Sequence, residues 1–163
     1  MQQAPYFRYA TRGVILDTNV FLVWLIGQTD PVLIQQFKRT STYSPEDYAL
    51  LAKLIIQSRG LCVTPHIITE ACNHLDTLNK RLNFQIFTRL EAILSIIKER
   101  RSESRFLSAV PGFKYLGLAD IAIVEASTRG YLVITDEGEC FQRIQAGGGL
   151  GINLNHLRFQ NEN

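Results

Sequence analysis

Short apolar runs alternate with longer stretches of helical periodicity along this chain. Gly13 to Asp17 (GVILD) is an unbroken apolar run closed by a carboxylate, the pattern of a strand buried on both faces of a parallel sheet. Phe21 to Ile26 continues it as an apolar helix. Tyr43-Ser44-Pro45-Glu46 carries a helix start, with Ser44 as N-cap, Pro45 at the first position and Asp47 as the third-residue acid, and the helix runs to Ser58 and stops at Gly60. Leu61 to Thr64 is a second short strand, broken by Pro65, and a helix follows from about His66 to Leu78. From Asn83 to Arg101 the spacing predicts a long amphipathic helix. Leu82, Ile86, Leu90, Ile93 and Ile97 form its stripe, Phe87 and Leu94 lie beside it, and Arg100, Arg101 and Arg105 match the dipole at its end. Pro111 and Gly112 mark a loop. Gly117 to Thr128 reads as an almost wholly apolar helix interrupted by Asp120 and Glu125. Tyr131 to Thr135 is a third strand and Gly151 to Leu154 a fourth, reached through Gly147-Gly148-Gly149, while Phe159 to Asn163 reads as a frayed tail. Short strands alternating with helices predict an α/β fold, a parallel sheet with helices on both faces.

Composition narrows this without changing it. At 163 residues the chain has the size of one domain, with its core expected over 12–158 and both ends loosely held. It is 46% hydrophobic and 20% charged, an ordinary globular balance. Seventeen Lys and Arg against fifteen Asp and Glu leave a net charge of only +2, so no overall basic field advertises nucleic acid. Among the cations Arg outnumbers Lys twelve to five, which favours bidentate binding of phosphate or carboxylate. No apolar run approaches the length of a membrane span, and Met1 to Arg12 lacks the basic and apolar regions of a secretory signal. Cys62, Cys72 and Cys140 are odd in number and widely spaced, as expected of reduced thiols in a cytoplasmic protein.

The acids carry the chemistry. In open parallel sheets, ligands bind beyond the carboxyl ends of the strands. Asp17 ends the first strand, and Asp136 follows the third directly after Thr135, with Glu137 and Glu139 close behind. Glu70 lies five residues past Pro65, in the first turns of the next helix, and Asp120 lies in the first turn of a helix too apolar to face water. Singly, an Asp at a strand end is an N-cap and Glu70 a solvated helix residue, but a buried Asp120 needs a cation, a proton or strong donors. Two carboxylates about 4 Å apart repel by about 4 kcal/mol at an effective dielectric of about 20. Four together therefore predict a cation, or else protonation or splaying. Hard oxygen ligands suit Mg²⁺ or Mn²⁺, which activate water and stabilise an in-line displacement at phosphorus. The residues themselves thus predict a metal-dependent phosphodiesterase. Asp17, Glu70, Asp120 and Asp136 would be its catalytic and metal-holding acids, Glu137 would replace or supplement Asp136, and Asn19 and Thr135 would orient carboxylates or water.

At these same residues the chain resembles the PIN-domain ribonucleases. Ile15-Leu16-Asp17-Thr18-Asn19-Val20 is similar to the family's opening block, and Thr64-Pro65-His66-Ile67-Ile68-Thr69-Glu70 to its second. Leu116-Gly117-Leu118-Ala119-Asp120 resembles the third and Val133-Ile134-Thr135-Asp136-Glu137 the fourth. The fourth block often reads Thr-x-Asp in this family, which moves the acid to Glu137 and leaves two candidates for one role. Thr40 to Ser58 and Ala146 to Leu150 are where this chain exceeds the family's smallest members. The resemblance implies a three-layer α/β/α sandwich, Mg²⁺ or Mn²⁺, and cleavage of single-stranded RNA. Many relatives are toxins of toxin–antitoxin pairs, held inactive by a partner protein and commonly homodimeric.

Other signals point elsewhere and are weaker. His66, Glu70 and His74 share one helix face, but eight residues separate the histidines by about 12 Å along the axis, too far for one zinc ion. His66 is expected near the acid rim and His74 in the core or on the surface. Gly147 to Gly151 looks like a phosphate cradle but leads into a strand without the Lys and Ser/Thr of a P-loop. Asp17-Thr18-Asn19 departs from the Asp-x-Asp of phosphatases at its last position. Arg100, Arg101 and Arg105 read as a solvated helix end, with RNA contact as the alternative. Two other functions stay open at this level: a non-catalytic PIN-like module binding RNA or protein, and a metal-dependent phosphatase.

Overall fold

The computed structural model describes residues 10–161, with side chains given to residue 158. Five strands form one wholly parallel sheet: β1 (Gly13–Leu16), β2 (Leu61–Val63), β3 (Lys98–Glu99), β4 (Tyr131–Thr135) and β5 (Leu150–Asn153), in the order β3-β2-β1-β4-β5. The helices are α1 (Thr18–Thr29), α2 (Pro45–Gln57), α3 (Pro65–Leu75), α4 (Lys80–Leu94), α5 (Ser104–Leu107), α6 (Phe113–Ser127), α7 (Gly138–Ala146) and α8 (Leu154–Asn161), with a 3₁₀ turn at Pro31–Gln36. The chain steps from β1 to β2 to β3 in one direction and then crosses back to β4 and β5 on the other side of β1. Right-handed crossovers place α1 to α4 on one face and α5 to α7 on the other. In agreement, α1 packs on α2, α3 and α4, while α6 packs on α5, α7 and β4. The result is a three-layer α/β/α sandwich.

Local signals explain most boundaries. Ser44 and Asp47 form a reciprocal capping box ahead of α2, with Pro45 at its first position. Thr64 caps α3 and Asn79 caps α4 through their side-chain oxygens. The strands read as apolar because they are: Val14, Ile15, Leu132, Val133 and Ile134 are fully enclosed. So is α1. Val20, Phe21, Leu22, Val23, Leu25 and Ile26 have no exposed surface, so this segment is core, packed by α2, α3 and α4 on one side and the sheet on the other.

The stretch from Asn83 to Arg101 departs from expectation. The helix ends at Leu94 with Ser95 as its C-cap, and Lys98–Glu99 pairs with Cys62 and Val63 as the edge strand β3. Ile93 and Ile97 keep the helical spacing across this break because both pack on the core, Ile97 from the turn. The periodicity of burial thus outlasts the helix. The three arginines consequently do not decorate a helix end. Arg100 pairs with Glu125 and lies 5.5 Å from the Tyr131 ring centre, Arg101 pairs with Glu99, and Arg105 with Glu103. Helix α3 also stops early, at Leu75 rather than Leu78. The tail begins as helix α8, and its last two residues, like Met1 to Tyr9, lie outside the described part. Gly148 turns the backbone with φ +67°, and a Cβ on Gly149 would meet the Ser127 hydroxyl at 2.0 Å. The glycine run is therefore a tight turn entering β5, at the opposite edge of the sheet from the acids. Among the described residues no helix is long and apolar enough to cross a membrane, and the three cysteines are unpaired.

Candidate active site

The strand order reverses between β1 and β4, and crevices beyond the carboxyl ends of strands at such a switch point are where open parallel sheets bind ligands. Asp17 leaves β1 there and Asp136 leaves β4 beside it. Asp17 is the N-cap of α1: the Val20 N–H donates to its Oδ1 at 2.9 Å, and the Asp136 N–H donates to its Oδ2 at 2.9 Å. This second bond ties the two strand ends together. Burial and the neighbouring Asp136 carboxylate drive the Asp17 pKa well above the usual carboxylate range, against the pull of Thr135 and the two backbone donors.

Three more acids meet Asp17 on a cleft of about 70 Å³: Glu70 from α3, Asp120 from α6 and Glu137 at the start of α7. Glu70 accepts a 2.5 Å hydrogen bond from the Thr18 hydroxyl on α1. Asp120 arrives through the backbone of Gly117, whose φ of +77° and ψ of −175° break α6 and begin a fresh turn three residues before the acid. Burial, together with Glu137, Glu70, Asp136 and Glu139, raises the Asp120 pKa to about 7. Desolvation and the same acidic surroundings raise Glu137 as well, with Arg39 opposing.

Asp136 and Glu137, the two candidates for the fourth acid, are placed differently. Glu137 lines the cleft. Asp136 turns its carboxylate toward the buried Tyr43, whose hydroxyl donates to Oδ2, while its Oδ1 is buried without a hydrogen-bond partner. Tyr43 is held in turn by Arg158, which lies 4.7 Å from its ring centre and also binds Asp47 at 2.9 Å. Thr135 is fully enclosed and its Oγ1 accepts from the Glu137 N–H at 3.0 Å, so it shapes the turn that presents this acid. Asn19 lines the cleft, and its side chain makes no hydrogen bond among the described residues.

Three contributors escaped sequence analysis. Arg39, just beyond the 3₁₀ turn, is the cation on the cleft wall and makes no ion pair among the described residues. Tyr43 holds Asp136, and Thr18 holds Glu70. Nothing local marks Arg39 or Tyr43, because both reach the site across the fold. Thr18 stands beside Asp17 in the first block, but nothing local tells that its hydroxyl reaches Glu70, 52 residues on. His74 also lines the cleft, so it is neither a core nor a free surface histidine. Burial and Arg39 lower its pKa, against the opposing pull of Glu70, and its Nε2 is buried without a partner. His66 lines an adjoining hollow. A larger apolar hollow of about 460 Å³, which includes Trp24, Ile93 and Lys98, lies at the other end of the strands and contains no acid.

The four cleft carboxylates offer hard oxygen donors that suit a divalent cation, and Asp136, outside the cleft lining, has a buried oxygen without a partner. No three His, Cys, Asp or Glu side chains among the described residues converge on one ligating point, so closing on an ion requires side-chain rotation. Glu70 and Asp136 would do so by exchanging their hydroxyl partners. No family model, no curated protein and no solved structure matches the chain.

Proposed function

We propose that this chain is a metal-dependent endoribonuclease cutting single-stranded RNA, with Mg²⁺ or Mn²⁺ held by Asp17, Glu70, Asp120 and Glu137 and with Asp136 beside Asp17. The observation that carries it is the meeting of four carboxylates from four separate elements on one cleft at the switch point of the sheet. Burial, and after it repulsion from neighbouring carboxylates including Asp136, holds three of them above their ordinary pKa, which a structural cap does not require. The ordered resemblance of the four blocks to PIN-domain ribonucleases supports RNA as the substrate. It also extends the proposal to a toxin restrained by an antitoxin protein, and to a homodimer.

Bound at the cleft, such an ion lowers the pKa of a coordinated water and offsets negative charge building on the phosphate. The chain's own residues prepare the site. Asp17 is fixed by two backbone donors, so its carboxylate is oriented without loss of side-chain freedom on binding. The Thr18 hydroxyl holds Glu70 at the cleft wall. Arg39 offers a fork of donors to a phosphate oxygen on the side of the cleft it lines.

A digest of end-labelled single-stranded RNA tests the proposal. Wild type is expected to cut with Mn²⁺ and to stop in EDTA, and Asp17→Asn to lose at least about a hundredfold in rate. The latter is the scale of removing one electrostatic contributor to a transition state. Equal cleavage by the two proteins contradicts the assignment. Hydrolysis of a small phosphate monoester without RNA cleavage would favour the phosphatase instead.

A further inference from the structure

Next to the acid cleft, between α3 and α6, lies a hollow of about 300 Å³ that shares Glu70 and Ala119 with it. Its volume sits at the lower end of small-ligand sites, about 300–1,000 Å³. Pro65, Leu118 and Ala119 give it apolar walls. Two of its polar groups have no internal partner. His66 lines it, but its Nδ1 is buried without a hydrogen bond and meets a ligand only after the ring turns, and the exposed Asn73 amide makes none among the described residues. Of the other two, the Thr69 hydroxyl already donates to the Pro65 carbonyl at 2.8 Å and the Glu70 carboxylate accepts from Thr18. A buried nitrogen without a partner is costly unless something answers it. Apolar walls with a hydrogen-bonding edge suit a flat heteroaromatic ring, which offers both a face to stack and an edge to bond.

We propose that this hollow receives one unpaired nucleobase of the RNA, next to the phosphate presented at the acid cleft, with His66 and Asn73 reading its edge. This rests on the endoribonuclease proposal for the neighbouring site. A base can enter only when swung out of a duplex, so the hollow restricts cleavage to single strands and sets a preference at one position. Along α3, Glu70 lines both the cleft and the hollow, while His66 and Asn73 line the hollow alone.

The test uses a short single-stranded RNA, first as a complete strand and then with an abasic site at each position in turn. Binding is measured by fluorescence anisotropy in EDTA, so that the strand stays intact, and cleavage of the same strands is followed separately with Mn²⁺. In wild type, one abasic position, adjoining the cut, is expected to weaken binding by about tenfold, within the range for stacking a single base. Leu118→Ala, His66→Ala and Asn73→Ala should each shrink that penalty and leave the penalties at other positions unchanged. Asn73 is exposed, so its variant keeps the fold even if His66→Ala does not. A uniform abasic profile in wild type, or the same profile in all three variants, overturns the base site. If cleavage persists while the profile is uniform, the base site alone fails. A position-specific penalty without metal-dependent cleavage retains the base site and removes the nuclease. Absence of both binding and cleavage removes both.

Discussion

Asp120 shows what a single carboxylate tells when its surroundings are counted. Its position in an apolar helix already marked it in the sequence, and the structure surrounds it with Glu137, Glu70 and Asp136 as further reasons for a high pKa. The folded state thus holds the Asp120 proton up to about pH 7, against an ordinary value of 3.8 in the unfolded chain. Between these values the folded state binds more protons than the unfolded one, so its stability falls as pH rises from about 4 to about 7 and then levels. Asp120→Asn removes this loss. In EDTA the variant should equal wild type near pH 3, below the unfolded value, and exceed it at pH 8 by about 1–2 kcal/mol, after allowance for solvent screening of a partly exposed group. Urea denaturation at the two pH values checks this, and a variant less stable than wild type at pH 8 would make Asp120 a structural residue. At this scale the acids were legible because strand ends and helix starts are local signals. Arg39 and Tyr43 were not, because a residue that joins the site only by tertiary packing leaves no periodicity or cap behind.

Elements were legible where cap and pattern agreed and less so where only pattern spoke. Ser44, Pro45 and Asp47 announced α2 because a capping box is written in consecutive residues. The end of α4 was hidden because Ile93 and Ile97 both face the core, although the chain between them has turned into an edge strand. A two-residue strand such as β3 carries too few positions for alternation to show. The break at Gly117 has the sharpest functional consequence. Its φ of +77° with extended ψ belongs almost to glycine alone, and a Cβ there would meet nothing within 4 Å. Gly117→Ala therefore isolates the backbone term. It should cost about 1–3 kcal/mol and, by straightening α6, rotate Asp120 away from Glu137 and Glu70. A chemical melt together with the RNA digest is the measurement. Full activity at lower stability would mean that the break shapes the helix without aiming the acid.

Across the whole molecule, the order β3-β2-β1-β4-β5 turns four separated sequence blocks into one rim. The alternation of strands and helices predicted the parallel sheet and its two helical layers. It did not predict the strand order, which depends on pairings such as Val14 with Leu61 on one side and Leu132 on the other, between strands of nearly identical apolar character. The order decides the site: it makes β1 and β4 neighbours, and so brings Asp17 within a hydrogen bond of the Asp136 backbone. It also leaves the apolar hollow containing Trp24 and Ile93 at the far end of the strands, away from the chemistry.

The central claim is that these carboxylates form a cation site, and linkage tests it without assuming a substrate. An ion that binds only the native state raises stability by about 2.7 kcal/mol at a hundred times its dissociation constant. Thermal melts with and without millimolar Mn²⁺ should show this gain in wild type and lose most of it in Asp17→Asn and Glu137→Gln. The loss should be smaller in Asp136→Asn, whose carboxylate is turned to Tyr43. A wild-type melting temperature unmoved by Mn²⁺, or a shift of equal size in Asp17→Asn, would contradict the account.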